Sequence, residues 1–527
     1  FNGSAGTLVV TMESAALWTD SRYFVQAQAQ LEGSGIELMK MKVEGTPSIS
    51  QWILSNLEED GIVAIDENLF TYQEYCSWVD ELSPLNVTMI EDPFDEIWNE
   101  RPVLEFHPIE PLDVSISGES TSSKHKRLVE QIALPYPFVY IISALDEIAW
   151  LCNIRGRDVE YNPLVISYAV VTPERVELFV NPEAVTPQAE QHLFAQGVVI
   201  RDYNSFSNYL SQIDKSVIKI FSSNRVTAKH YLSVENILPD LTTGGTLNLM
   251  KSQKNETELA GFRKACEEDS LAWKKLLEYI RANILDKSEE EYSASPVTEY
   301  QLAMKLIEFR KESPDYRGES FEPIVAYGAN AALPHYSATE DNSAVIMKKG
   351  LLLIDTGAHY AYGTTDTTRT IPMGPLTQEE REDYTAVLKG MVRLSMAKFP
   401  KGTRGAQLDI LARGCVFERG KIYLHGTGHG IGHYLCVHEG PQSIRMEENP
   451  VALLPGMVLS NEPAIYQEGS HGIRIENTIV VSVNEMGYQE FDTITKVPIN
   501  EEPIIESALS DVEKQWLYHH DFISQLS

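Results

Sequence analysis

Apolar and polar positions alternate in short runs through the first half of the chain. "GTLVVT" and "AALWTD" have the β-branched and aromatic character of strands, and "YFVQAQAQLE" spaces its apolar residues as a helix does. A second α/β stretch carries "FVYIIS", a continuous apolar run suited to a strand buried on both faces, and then the apolar-rich "ALDEIAWL". Between the two stretches lies "SISGESTSSKHK" (115–126), whose serine-rich composition predicts a linker. The stretches also echo each other. Val9, Val10 and Thr11 reappear as Val170, Val171 and Thr172, and Leu17, Trp18, Thr19 and Asp20 as Leu178, Phe179, Val180 and Asn181, both at a shift of 161 residues. That predicts two related α/β domains in tandem.

The texture changes at Asn255. "NETE" is a helix-capping signature, and Leu259, Phe262, Cys266, Trp273, Leu276, Leu277 and Ile280 follow at helical spacing. A long amphipathic helix therefore opens a third domain. The expected division is 1–115 for an α/β domain, 116–250 for a second, related one, and 251–527 for the last.

Composition narrows the class of function. The 527 residues are 43% hydrophobic and 23% charged, with no apolar run long enough to span a bilayer. A net charge of −33 speaks against nucleic acid or an anionic membrane as partner, because both are held by basic patches. Five scattered cysteines without a CxxC pattern fit neither a disulfide framework nor a cysteine–zinc site, and favour a reducing, cytoplasmic setting. The chain starts on "FNGSAG", without Met and already close to strand-like sequence, so a truncated or processed start is expected.

Chemistry concentrates in the last domain, which holds nine of the thirteen histidines, seven of them at 335, 359, 425, 429, 433, 438 and 471. Four of them fall within "HGTGHGIGHYLCVHEGP" (425–441). The interleaved glycines argue against a helix and for a glycine-rich turn leading into a strand. Upstream, "GLLLIDTGAHYAYGTTDTTRT" reads as strand, turn and strand, with Asp355 and Asp366 equidistant from a midpoint between Tyr360 and Ala361. In such a hairpin their Cβ atoms would face each other at roughly 5 Å. Downstream, "GMVLSNEPAIYQEGSHGIRIENTIVV" repeats the device, with Glu462 and Glu476 symmetric about Gly469. Carboxylates that close in a buried sheet repel unless they are protonated or bridged by a cation. Four carboxylates and an imidazole suit a pair of Mn²⁺, Co²⁺, Fe²⁺ or Zn²⁺ ions.

In this order and spacing, "FNGSAG", "LWTDSRYFVQA", "ALDEIAWLCNIRGRDVEYNP", "GTTDTTRT", "HGTGHGIG", "HEGP" and "GIRIEN" resemble the pita-bread metallopeptidases, and within them the long, three-domain aminopeptidase P group. The resemblance implies an α/β (α+β) fold, with two creatinase-N-like domains ahead of a catalytic pita-bread domain. It implies Asp355, Asp366, His429, Glu462 and Glu476 as metal ligands, with Asp366 and Glu476 bridging two divalent ions, manganese before zinc, cobalt or iron. His335 in "ALPHY" and His438 in "HEGP" match positions that contact substrate and stabilise the tetrahedral intermediate, and Glu462 relays a proton. His425, Tyr466 and Arg474 match a proline pocket. The substrate implied is a peptide with proline in second place, attacked by a hydroxide held between the ions, and the implied assembly is a homodimer. His359, His433 and His471 match no family role and are expected at the surface or behind the ligands. Ala464 stands where relatives carry glycine, and the first domain lacks the family's first strand–helix unit. Two alternatives remain: a prolidase acting on Xaa-Pro dipeptides, and a non-catalytic binding module of the same fold.

Overall fold

The computed structural model describes residues 1–519 apart from Asn2, Glu96 and Asn224, together with 523–524. It divides into two compact units: 1–111, 121–158 and 165–246 form the first, and 112–120, 159–164 and 247–527 the second. Among the described residues, no helix is long and apolar enough to cross a membrane.

The first unit contains the predicted duplication. Strands β1 (Thr7–Val10) and β2 (Ala15–Thr19) form an antiparallel hairpin with Thr7 opposite Trp18 and Val10 opposite Ala15; β3 (Ile36–Lys40) lies parallel to β2. The second stretch contributes β4 (Phe138–Ile142), β5 (Ser167–Val171), β6 (Val176–Val180), β7 (Val198–Asp202) and β8 (Ile218–Phe221), in the order β7–β6–β5–β4–β8. There Tyr168 stands opposite Phe179 and Val171 opposite Val176, the β1–β2 register moved on by 161 residues, and β7 again runs parallel to β6. β4 and β6 are buried along their whole length, as a continuous apolar run requires.

The expected linker is a correction. Residues 115–126 hold the end of a helical turn, Val114–Ser117, and the start of helix α1 (Thr121–Ile132). Asp113 caps the first, and Gly118, at φ +71°, ends it in the left-handed conformation. Polar composition misled because Lys124 is buried with both partners supplied: its ammonium donates to the Trp150 carbonyl and to Asn153 Oδ1, each at 2.7 Å.

In the second unit, helix α2 (Thr246–Ser252) leads into α3 (Glu256–Ile280). The capping box is present: Asn255 accepts from the Glu258 amide, and Glu258 accepts from the Asn255 amide. Phe262, Cys266, Trp273, Leu276 and Ile280 face the core, with Leu259 and Leu277 partly buried against it. At Gly261 a side chain would overlap the Tyr362 carbonyl, so glycine lets the helix lie directly on the turn of the first acidic hairpin. That hairpin comprises β9 (Ile324–Tyr327), β10 (Leu351–Thr356), β11 (Ala358–Tyr360), β12 (Gly363–Thr364) and β13 (Thr367–Pro372), with β10 between β9 and β13. Helix α4 (Gln378–Ser395) follows. A six-stranded sheet is then built from β14 (Lys398–Phe399), β15 (Gly428–Gly430), β16 (Glu439–Ile444), β17 (Val458–Asn461), β20 (Asn477–Val483) and β21 (Gln489–Thr493), in the order β14–β21–β20–β17–β15–β16. The ribbon of β18 (Ala464–Gln467) and β19 (His471–Arg474) projects between β17 and β20.

Trp273 is fully buried among Ala272, Leu276, Ile354 and Ile371. Trp273→Ala is expected to cost about 3–5 kcal/mol, read calorimetrically as a lowered transition of the second unit with the first unit's transition in place.

Candidate metal centre

Two interruptions of β-structure define the site. In the second ribbon the ladder keeps one register throughout: Asn461 is opposite Asn477, then Ala464 opposite Arg474, then Gln467 opposite His471. Glu462 and Glu476 fall in the gap between the two paired segments, directly across from each other, as their symmetry about Gly469 predicts. The first hairpin differs from expectation. Asp355 is opposite Thr368, and Tyr360 opposite Gly363, so the turn centres between Ala361 and Tyr362, one residue later than predicted. Asp366 is therefore a diagonal neighbour of Asp355, not its partner. A shift of two in register leaves both on the same face, because side chains repeat every second residue.

The two ribbons are joined side by side through "TTRT". Thr370 Oγ1 donates to the Arg474 carbonyl at 2.9 Å and accepts from its amide, and Thr368 Oγ1 donates to Glu476 Oε2 at 2.6 Å. The Glu476 amide donates to the Thr368 carbonyl, and Thr478 Oγ1 to that of Asp366. Arg369, wholly buried, donates to the carbonyls of Glu476, Val497 and Pro498 and to Asn477 Oδ1. These threonines and Arg369 are functional supports that motif reading passed over. Their signal was the β-branched alternation itself.

His429 enters from a third direction. It sits on β15, the strand into which the expected glycine-rich turn leads, and glycines let that strand press between its neighbours: a methyl group on Gly428 would overlap the Ser460 carbonyl. His429 Nδ1 donates to the Gly430 carbonyl at 3.0 Å, which leaves the Nε2 lone pair facing the carboxylates. Nε2 is 3.4 Å from Asp366 Oδ2 and 3.5 Å from Glu462 Oε1. Ligand atoms of Asp366, His429 and Glu476 all lie within 4.8 Å of one another. Asp355 Oδ2 receives the Arg474 guanidinium at 2.5 Å.

The electrostatics of this cluster are those of a cation site. Burial, then the charge of Asp355, holds the Asp366 carboxyl well above the usual range. Burial followed by Asp366 and Asp355 does the same to Glu476, and burial followed by Glu476 does so to Glu462. Burial pushes His429 down, so its imidazole is neutral and able to coordinate. Arg474 offsets one of the four carboxylates. Asp355 Oδ1 and Glu476 Oε1 are buried without any hydrogen-bond donor. Buried carboxylate oxygens are rarely left so, and divalent ions would satisfy both.

Beside the cluster, His425 Nε2 bonds the Tyr466 hydroxyl at 2.9 Å, which in turn receives Arg474 Nη1. His425, Tyr466 and Arg474 are thus one connected wall, and burial with the adjacent Arg474 pushes His425 down to about 3. The His438 ring stands perpendicular to that of His429, centroids 4.3 Å apart. His335 follows the turn at Gly328–Ala332 and lies near enough to His425 to depress it further. The three unassigned histidines are not at the surface. His359 bonds Thr364 Oγ1 and the Tyr161 carbonyl, His471 bonds Asp383 Oδ2 at 3.0 Å, and His433 packs edge-on to Phe262. Each ties two separate parts of the second unit together.

Comparison with known proteins agrees with this geometry. Residues 260–482 match the model of metallopeptidase family M24, and 1–97 and 100–258 match two models of the creatinase/prolidase N-terminal domain. Xaa-Pro aminopeptidase 1 of Dictyostelium discoideum is 38% identical over 94% of this chain and 81% of its own length. The chain belongs to the M24 metallopeptidases. A probable Xaa-Pro aminopeptidase P of Coprinopsis cinerea is 36% identical, across 100% of this chain and 88% of the relative. The X-prolyl aminopeptidase of Caenorhabditis elegans, a cytosolic enzyme with a di-nuclear active site, superposes with a TM-score of 0.92 at 32% identity, over 99% of this chain and 86% of its own. The prolidase of Pyrococcus horikoshii shares the fold at a TM-score of 0.56 and covers 72% of this chain. The architecture is therefore two creatinase-type domains followed by a pita-bread domain.

Because β15 has no room for a side chain at 428, Gly428→Ala is expected to displace His429 and weaken metal binding by about tenfold, measured by calorimetric titration of the chelated protein with Mn²⁺ or Zn²⁺.

Proposed function

We propose that this chain is a two-metal aminopeptidase that releases the first residue from peptides carrying proline in second place. The observation that carries the reading is the juxtaposition of the acidic cluster with the wall of His425, Tyr466 and Arg474, in a chain similar along its length to Xaa-Pro aminopeptidases. Asp355, Asp366, His429, Glu462 and Glu476 are the residues that would hold two divalent ions. Manganese is the first choice for so carboxylate-rich a set, with zinc, cobalt and iron as competitors. Divalent ions held by these residues would supply Lewis-acid chemistry, acidifying a water and offsetting negative charge.

The chain's own groups do the rest. Glu462 takes the proton of the attacking water and passes it to the departing proline nitrogen, a carboxylate being a suitable general base for that relay. His438 and His335 donate to the carbonyl oxygen, such donors contributing about 3–4 kcal/mol to the transition state. His425, Tyr466 and Arg474 close around the pyrrolidine ring. We place domain boundaries near 115 and 250, the family matches breaking at 97–100 and 258–260, and propose a homodimer in the cytoplasm, the compartment of the worm enzyme.

Two measurements test this. After chelation, hydrolysis of Ala-Pro-Ala is expected to return only with added Mn²⁺, Zn²⁺ or Co²⁺, while the dipeptide Ala-Pro stays intact. Preferential cleavage of Ala-Pro would make the protein a prolidase. Separately, Asp366→Asn and Glu476→Gln are expected to abolish turnover and lower the metal content by elemental analysis. Full activity of either variant after dialysis against chelator sinks the two-metal reading.

A further inference from the structure

His438 and Glu439 are adjacent on the chain and serve opposite sides of it. The His438 ring meets His429 at the acidic cluster. Glu439 opens β16, pairs with Gly430, and turns its carboxylate onto two lysines. Lys251 Nζ is 2.8 Å from Oε2, Lys254 Nζ bonds Oε1, and all three side chains are sealed from water. Lys254 also donates to the Lys251 carbonyl at 3.1 Å.

Two ammonium groups on one carboxylate are poor filling for a core, because apolar residues of the same volume stabilise as well or better. What the arrangement confers is position: one carboxylate reaches both cations from a single place. That place matters for the loop between Gly430 and Glu439. Its first part is fastened by the Gly432 amide donating to the Cys436 carbonyl at 2.9 Å, by His433 against Phe262, and by Thr364 donating to the Leu435 carbonyl. Glu439 fastens its return, one residue after His438. Both lysines precede the segment 260–482 that matches the M24 model, so the anchor reaches this loop from outside the part that defines the catalytic family.

We propose that Glu439, gripped by Lys251 and Lys254, is the positioning residue for His438, holding its imidazole where the carbonyl oxygen develops charge. The inference rests on the donor role given to His438 above. It is tested on the Mn²⁺-loaded full chain with Ala-Pro-Ala, using Glu439→Gln and Lys254→Met, each alone and combined with His438→Ala. Lys254→Met leaves a matched Lys251–Glu439 pair, so it removes half the grip without stranding a charge. With His438 present, each anchor variant is expected to lower kcat by about tenfold, with KM and metal content unchanged. In the His438→Ala background the same changes are expected to cost nothing further. Equal costs in both backgrounds, or metal lost in step with activity, overturn the anchor. A His438→Ala enzyme with wild-type kcat overturns the proposal at His438 instead.

Discussion

Mutual repulsion among buried carboxylates is the constraint around which the second unit is organised. Asp355, Asp366, Glu462 and Glu476 come from two ribbons that would separate if nothing opposed their charge. Arg474 offsets one, and protonation, to which burial and crowding push three of them, would offset others. Divalent ions do so while leaving the oxygens as ligands. The scaffold is built to resist the strain in either case: "TTRT" ties the ribbons through backbone and hydroxyl bonds, and Arg369 donates to five acceptors behind them. Such a centre is preorganised by its neighbours and not by the ions alone.

Periodicity made much of this legible. Strand spacing of two gave the mirrored acids, and because that spacing survives an error of two in register, Asp355 and Asp366 were placed on one face despite a turn centred one residue off. The ladder around Gly469 was read correctly because its turn, "QEGSHG", is dense in turn-forming residues. The duplication at 161 residues was visible because both hairpins kept their register as well as their composition.

What escaped was set by tertiary partners. "SISGESTSSKHK" looks like a linker until Trp150 and Asn153 supply the acceptors that let Lys124 be buried. For His359, His433 and His471 the sequence left open the surface or a place behind the ligands, and Tyr161, Phe262 and Asp383 decide for burial. The glycines of "HGTGHGIG" indicated a turn leading into a strand, but not that the absent side chain at 428 is what admits that strand between two others. Propensity describes a residue's own preferences, and these positions are decided by neighbours far away in the chain.

The chain passes between the two compact units more than once: 112–120 and 159–164 belong with the carboxy-terminal unit although the first unit's sequence lies on either side of them. The Ser117 carbonyl accepts from the Asn255 side chain that caps α3, and the Tyr161 carbonyl accepts from His359. A catalytic unit excised at residue 250 would thus begin life with a helix cap and a buried imidazole both missing an acceptor. During synthesis these two early segments emerge from the ribosome long before the helix and the strand they serve, and must wait for them. Interleaving of this kind makes the packing of the catalytic region depend on segments that lie within the amino-terminal half of the sequence.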